Sequence, residues 1–153
     1  MSKPFIDSNI VLYLLSGDTV KADRAQTLMA AGAIISVQVL NEVTSVCLRK
    51  LKMPWPEIDD LLMAVKAACK VIPLTVASHE KAVALAKRYQ FSFYDANIVA
   101  CALGSGAPML LTEDMQHGLQ IDGLVVKNPF KSVQENGKNG DATLFTAQAL
   151  GFL

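Results

Sequence analysis

Charge and cysteine are both scarce in this chain, and each scarcity excludes something. Charged residues fill only 18% of the 153 positions, against 52% hydrophobic. Mean hydropathy is +0.32. A chain this apolar buries a core and is not a disordered or solvating segment. Lys+Arg and Asp+Glu both number 14, so the formal net charge is zero and bulk charge does not advertise a nucleic-acid partner. The three cysteines, Cys47, Cys69 and Cys101, are odd in number and widely spaced, with no C-x-x-C. Neither a disulfide framework nor a zinc site is indicated, and Cys47 and Cys101 read as small core hydrophobes. The two histidines, His79 and His117, lack metal-ligand spacing with each other and read as surface or structural residues. No apolar run approaches the roughly 18 residues needed to span a bilayer. An Asp stands at position 7, so no signal-peptide core is seen, and a reduced, cytoplasmic setting is expected. No phosphate-binding glycine loop of either common type is present.

What remains is a regular alternation of short strands and helices. Residues 5–6, 33–37, 71–72, 109–111 and 124–126 read as strands. Residues 10–15, 22–31, 39–51, 57–69, 77–89 and 94–103 read as helices. Pro54-Trp55-Pro56 breaks the chain, Ser78 is a candidate cap, and Gly104 with Gly106 stops the last of these helices. Such alternation predicts βα units and a central, mainly parallel sheet with helices on both faces. There is no internal repeat. The compact domain is expected to cover residues 1–130. Residues 131–153 begin polar and Gly/Asn-rich and read as a tail, a loose linker or a short docking helix.

Four carboxylates stand out against this apolar background: Asp7, Glu42, Asp95 and Asp114. Asp7 follows the first strand, and Asp114 lies just past the strand at 109–111. In open α/β sheets ligands bind outside the carboxyl ends of the strands. At about 100° per residue, Asp95 shares a helical face with Ile98, Val99 and Ala102, so its carboxylate points towards the core side. Glu42 falls about 40° beyond the apolar arc of its helix, where a side chain can skirt the core and reach a cleft. Each acid has a plainer reading. Asp7 or Ser8 would cap the following helix. Ser92 to Asp95 matches a capping box. Glu42 is an acceptable polar edge, and Glu113-Asp114 a solvated loop.

Taken together the four favour a site. Crowded carboxylates repel one another unless a cation joins them. Mg²⁺ and Mn²⁺ prefer hard oxygen ligands and keep several waters. An ion so held acidifies a water and polarises a phosphoryl oxygen, so hydrolysis of a phosphodiester is the expected chemistry. Ser8, Asn9 and Thr112 are placed to orient ligands or waters. With the four acids neutralised, 14 basic residues face 10 acidic ones, a surplus of +4 compatible with a polyanionic substrate.

Asp7-Ser8-Asn9, the helix with Asn41-Glu42, Tyr94-Asp95-Ala96 and Leu111-Thr112-Glu113-Asp114 resemble the motifs of the PIN domain, in their usual order. The run from Leu110 to Gly118, with Asn128-Pro129-Phe130 after it, is similar to the close of VapC-type toxins. The resemblance spans roughly residues 3–130. It implies a three-layer α/β/α fold and a ribonuclease needing one or two Mg²⁺ or Mn²⁺ ions, the toxin of a type II toxin–antitoxin pair. It further implies a homodimer with an RNA substrate and a small antitoxin partner. By position, Asp7 and Asp95 would be the principal metal ligands and Glu42 and Asp114 the additional ones. Between Glu113 and Asp114, only the family pattern favours Asp114.

A phosphoacceptor or phosphatase α/β domain using a strand-end Asp is the alternative. A haloacid-dehalogenase-type site would want a second Asp two positions on, where Asn9 stands. A receiver domain would want an acid pair that is missing, although Lys127 could serve as its lysine. Arg49, Lys50 and Lys52 form a small basic cluster that could touch RNA phosphates, though a solvated helix end is the better reading. Trp55 could stack on a base but reads better as a contact between helices.

Overall fold

The computed structural model describes residues 2–131. Six strands form one sheet: β1 (Phe5–Ile6), β2 (Ala33–Ser36), β3 (Cys69–Ile72), β4 (Met109–Leu111), β5 (Gln120–Ile121) and β6 (Leu124–Lys127). Their spatial order is β3-β2-β1-β4-β6-β5. Every pairing is parallel except β5 with β6. β1 and β2 are buried along their whole length, as expected when helices cover both faces of a parallel sheet.

The helices are α1 (Ser8–Leu12), α2 (Thr19–Ala31), α3 (Val37–Arg49), α4 (Trp55–Ala68), α5 (Val76–Tyr89) and α6 (Phe93–Ser105). A 3₁₀ turn, Tyr13–Leu15, continues α1. From β1 the chain runs outward through β2 to β3, then crosses back to place β4 on the other side of β1. The strand order therefore reverses between β1 and β4. That is the switch point where open α/β sheets form a crevice. The pairing of Phe5 with Leu110 and Ile6 with Leu111 brings the residues after β1 and after β4 level with each other.

The expected elements are present with small shifts, most of them explained by caps. α2 begins at Thr19 because the Asp18 carboxylate accepts from the Val20 and Lys21 amides. α5 is capped by Thr75, not by Ser78. Ser78 sits three residues in and completes a reciprocal capping box. α6 runs through Gly104 and stops at Gly106, which adopts a left-handed conformation at φ 76°. Strand β5 went unanticipated. It forms a hairpin with β6 through Asp122-Gly123, at φ 48° and 86°, the pair of positive angles a tight I′ turn needs. Trp55 opens α4 and is 54% exposed, so it does not fill a gap between helices as expected. Cys47 and Cys101 are buried, in keeping with their reading as core hydrophobes. The tail expected over 131–153 lies, past Lys131, outside the described residues. Among the described residues no helix is long and apolar enough to cross a membrane.

Candidate active site

Asp7 ends β1 and caps α1. Its Oδ1 accepts from the Ser8 amide at 2.7 Å, so the cap reading was correct as far as it went. Its Oδ2 accepts from the Thr112 hydroxyl at 2.8 Å. Thr112 sits one residue past β4 and is fully buried. Its Oγ1 in turn accepts from the Asp114 amide at 3.2 Å. One threonine thus ties the two strand ends of the switch point together.

Glu42 comes from α3, whose start is set by Ser36 at the end of β2. It lies half-buried at the edge of that helix, as the wheel predicted. Its Oε1 accepts from Ser8 Oγ at 2.7 Å, and its Oε2 from Gln38 Nε2 at 3.0 Å. Asp95 sits in the first turn of α6. The Ser92 hydroxyl caps that helix by accepting from the Asp95 amide at 3.1 Å. Cap and cleft are therefore not rivals: the backbone of Asp95 serves the cap while the residue lines the cleft.

All four acids border a single cleft of about 510 Å³, with Ser8, Asn9, Gln38, Asn41 and Tyr94 also on its wall. Arg49, Lys50 and Lys52 are exposed at and beyond the end of α3 and do not line it. His117 accepts from the Asn128 amide at 3.0 Å, and His79 meets the edge of Phe93 at 5.5 Å. Both act structurally, as read from the sequence.

Burial pushes the Asp7 carboxyl up to about 7, and the charges of Glu42 and Asp114 push the same way. The Thr112 and Ser8 bonds oppose the rise without cancelling it. Asp95 is also raised, first by burial and then by the charges of Asp114 and Glu42, against a hydrogen bond with Ser92. In both acids burial is the leading cause, so the ionised form is disfavoured and a nearby cation would favour it.

The donor set fits a hard divalent cation. It consists of carboxylate, hydroxyl and amide oxygens, with no soft ligand among the cleft residues. Asn9 adds an independent observation. Its side-chain Oδ1 and Nδ2 are both buried on the cleft wall with no hydrogen-bond partner among the described residues. A buried unpaired carboxamide needs a further partner. Among the described residues, no three acidic, histidine or cysteine side chains form a group that holds an ion by themselves. An ion that keeps waters and takes substrate oxygens needs no such closed cage.

Glu113 and Asp114 diverge. Asp114 is exposed at the cleft. Glu113 turns away into a buried pair with Lys21 and accepts from the Tyr13 hydroxyl. Sequence reasoning missed Lys21, Tyr13 and Gln38. The Gln38–Glu42 contact was legible as an i, i+4 helix pair. The other two were not, because the contacts cross 92 and 100 residues of chain.

Residues 5–118 match the family model described as the PIN domain. No curated protein sequence matches the chain. Among solved structures, a toxin–antitoxin complex from Klebsiella pneumoniae is similar at 24% identity and TM-score 0.64, over 83% of this chain and 98% of that one. VapBC2 from Rickettsia felis, bound to a DNA fragment from its promoter, is similar at 19% identity and TM-score 0.60, over 81% and 96%. VapC20 from Mycobacterium tuberculosis, a sarcin–ricin loop cleaving toxin, is similar at 19% identity and TM-score 0.55, over 71% and 87%. The order of the four acidic motifs, the switch-point cleft they share and the family match over residues 5–118 agree: this chain belongs to the PIN domain family.

Proposed function

We propose that this protein is a divalent-cation-dependent endoribonuclease, the toxin half of a type II toxin–antitoxin pair. The observation that carries the reading is the gathering of Asp7, Glu42, Asp95 and Asp114 around one cleft, with Asp7 too buried to ionise readily alone. Of the three similar structures, one is named as a toxin–antitoxin complex, one as a sarcin–ricin loop cleaving toxin, and one as VapBC2 bound to its promoter DNA.

Asp7 and Asp95 are the principal holders of Mg²⁺ or Mn²⁺, and Glu42 and Asp114 complete the acidic site. Bound there, one or two such ions supply an acidified water and polarise the phosphoryl oxygen. The remaining work belongs to the chain. Thr112 and the Ser8 amide fix the two oxygens of Asp7 in orientation. Ser8 and Gln38 do the same for Glu42. Asn9 offers its unpaired carboxamide to a ligand or water in the cleft. Hydrolysis is direct, with no covalent enzyme intermediate. Arg49, Lys50 and Lys52 lie outside the cleft and would touch only RNA that extends beyond it. The antitoxin places an arginine among the acids, where a charge-assisted pair forms. The protein works in the cytoplasm as a homodimer, and residues 1–130 form the nuclease domain.

The test uses purified protein and total RNA with Mn²⁺, with EDTA, and with Asp7→Asn. Cleavage is expected only for the wild type with Mn²⁺. Cleavage that survives both EDTA and the substitution would sink the reading. Stable labelling by a small acyl phosphate would point to a phosphoacceptor instead.

A further inference from the structure

Outside the cleft wall, the most unusual feature is a lysine that solvent hardly reaches. Lys21, in α2, is 2% exposed. Its Nζ pairs with Glu113 Oε2, and the other oxygen of Glu113 accepts from the Tyr13 hydroxyl. Two rings wall the ammonium, with Nζ 4.5 Å from the Tyr13 centroid and 4.6 Å from that of Phe130. The rings meet edge to face at 5.2 Å. The cage thus joins the 3₁₀ turn after α1, α2, and the segments after β4 and β6.

A buried ion pair is weak evidence for stability, since desolvating both charges offsets most of their attraction. Its position suggests another role. Glu113 stands between Thr112, which holds Asp7, and Asp114, which lines the cleft. Thr112 accepts from the Asp114 amide, but the described hydrogen bonds include none to the Asp114 carboxylate. The direction of Asp114 therefore depends on how the short turn that bears it is anchored.

We propose that Glu113 is a positioning residue: gripped by Lys21 and Tyr13, it anchors the turn after β4 so that Asp114 faces the cation. This rests on the proposed metal site. The cage acts on the reaction only through Asp114, and Glu113 touches neither ion nor substrate.

A double-mutant cycle reads this directly. Mn²⁺ affinity is measured by calorimetry on the full chain for wild type, Glu113→Gln, Asp114→Asn and the double variant. Thermal unfolding of each reports folding. Glu113→Gln is expected to lose about 10-fold in affinity, as other substitutions behind a metal ligand do. In the Asp114→Asn background the same change should matter by less than about 2-fold, because its target is gone. An equal loss in both backgrounds, or none in Glu113→Gln, overturns the inference and leaves the metal site standing. A wild type that binds no Mn²⁺ overturns both. If Glu113→Gln does not fold, Tyr13→Phe removes one grip, keeps the ion pair, and runs the same cycle with the same outcomes.

Discussion

Ser8 Oγ donates to Glu42 Oε1 at 2.7 Å, bridging 34 residues of chain. Ser8 also gives its backbone amide to Asp7, so one residue touches two of the four acids. Ser8→Ala keeps the amide bond and removes the hydroxyl. Cleavage with Mn²⁺ is expected to fall about 10-fold. Stability should fall by only about 1 kcal/mol, because one good part-buried hydrogen bond to Glu42 and one long contact to Asp7 at 3.4 Å are lost. Single-turnover cleavage beside a urea titration separates the two. A loss of stability large enough to explain the rate would refute the positioning role.

Asp7 makes stability depend on pH. Its carboxyl rises from 3.8 to about 7 on folding, so the folded chain holds the proton more tightly than the unfolded one. The stabilisation is fully present below the unfolded value and is lost as pH rises through about 7. The loss is on the order of 4 kcal/mol, at 1.36 kcal/mol per unit. Urea unfolding in EDTA should therefore show falling stability between about pH 4 and pH 8. Asp7→Asn should flatten that slope and be the more stable protein at about pH 8. A slope unchanged by the substitution would remove Asp7 as its source.

In the proposed metal site, proton and cation would compete for the same carboxylates. Mn²⁺ affinity should rise with pH up to about 7 and then level, by close to 10-fold per unit for each proton displaced. Asp95, also raised, adds to the slope. Calorimetry across that range in buffers of different ionisation enthalpy counts the protons released. Affinity that ignores pH would place the ion elsewhere. Saturating Mn²⁺ should also restore the stability lost at high pH.

Thr112→Val tests the tie between β1 and β4. It removes the donor to Asp7 Oδ2 and the acceptor for the Asp114 amide. An expected cost of about 1–3 kcal/mol follows from leaving a buried carboxylate oxygen unpaired. The cost should be larger at about pH 8 than at pH 5, since the threonine favours ionised Asp7. Equal costs at both pH values would mean that the tie does not act through the charge.

Much of the frame was legible because it is local. The switch from two-residue to helical periodicity marks the elements, and caps such as Ser92 and Gly106 mark their ends. The wheel placed Glu42 at a helix edge, where it lies. For α6 the same wheel was too narrow: Ala96 to Ala102 are all buried. Small residues let neighbours pack around the whole helix, so periodicity carried little information there. Strand β5 was missed because two residues are too short to show alternation, although Asp122-Gly123 was a readable turn signal.

By itself, then, the sequence determined which acids end up at strand ends and on inward helix edges, because periodicity and capping act within a few residues. It could not separate Glu113 from Asp114. That choice was made by Lys21 and Tyr13, 92 and 100 residues away, which claim one carboxylate and leave the other at the cleft. The bond from Thr112 to Asp7 spans 105 residues and exists only because β1 and β4 pair in the register that sets Ile6 beside Leu111. Register is a property of the assembled sheet, so the geometry of the site was decided there and nowhere earlier in the chain of causes.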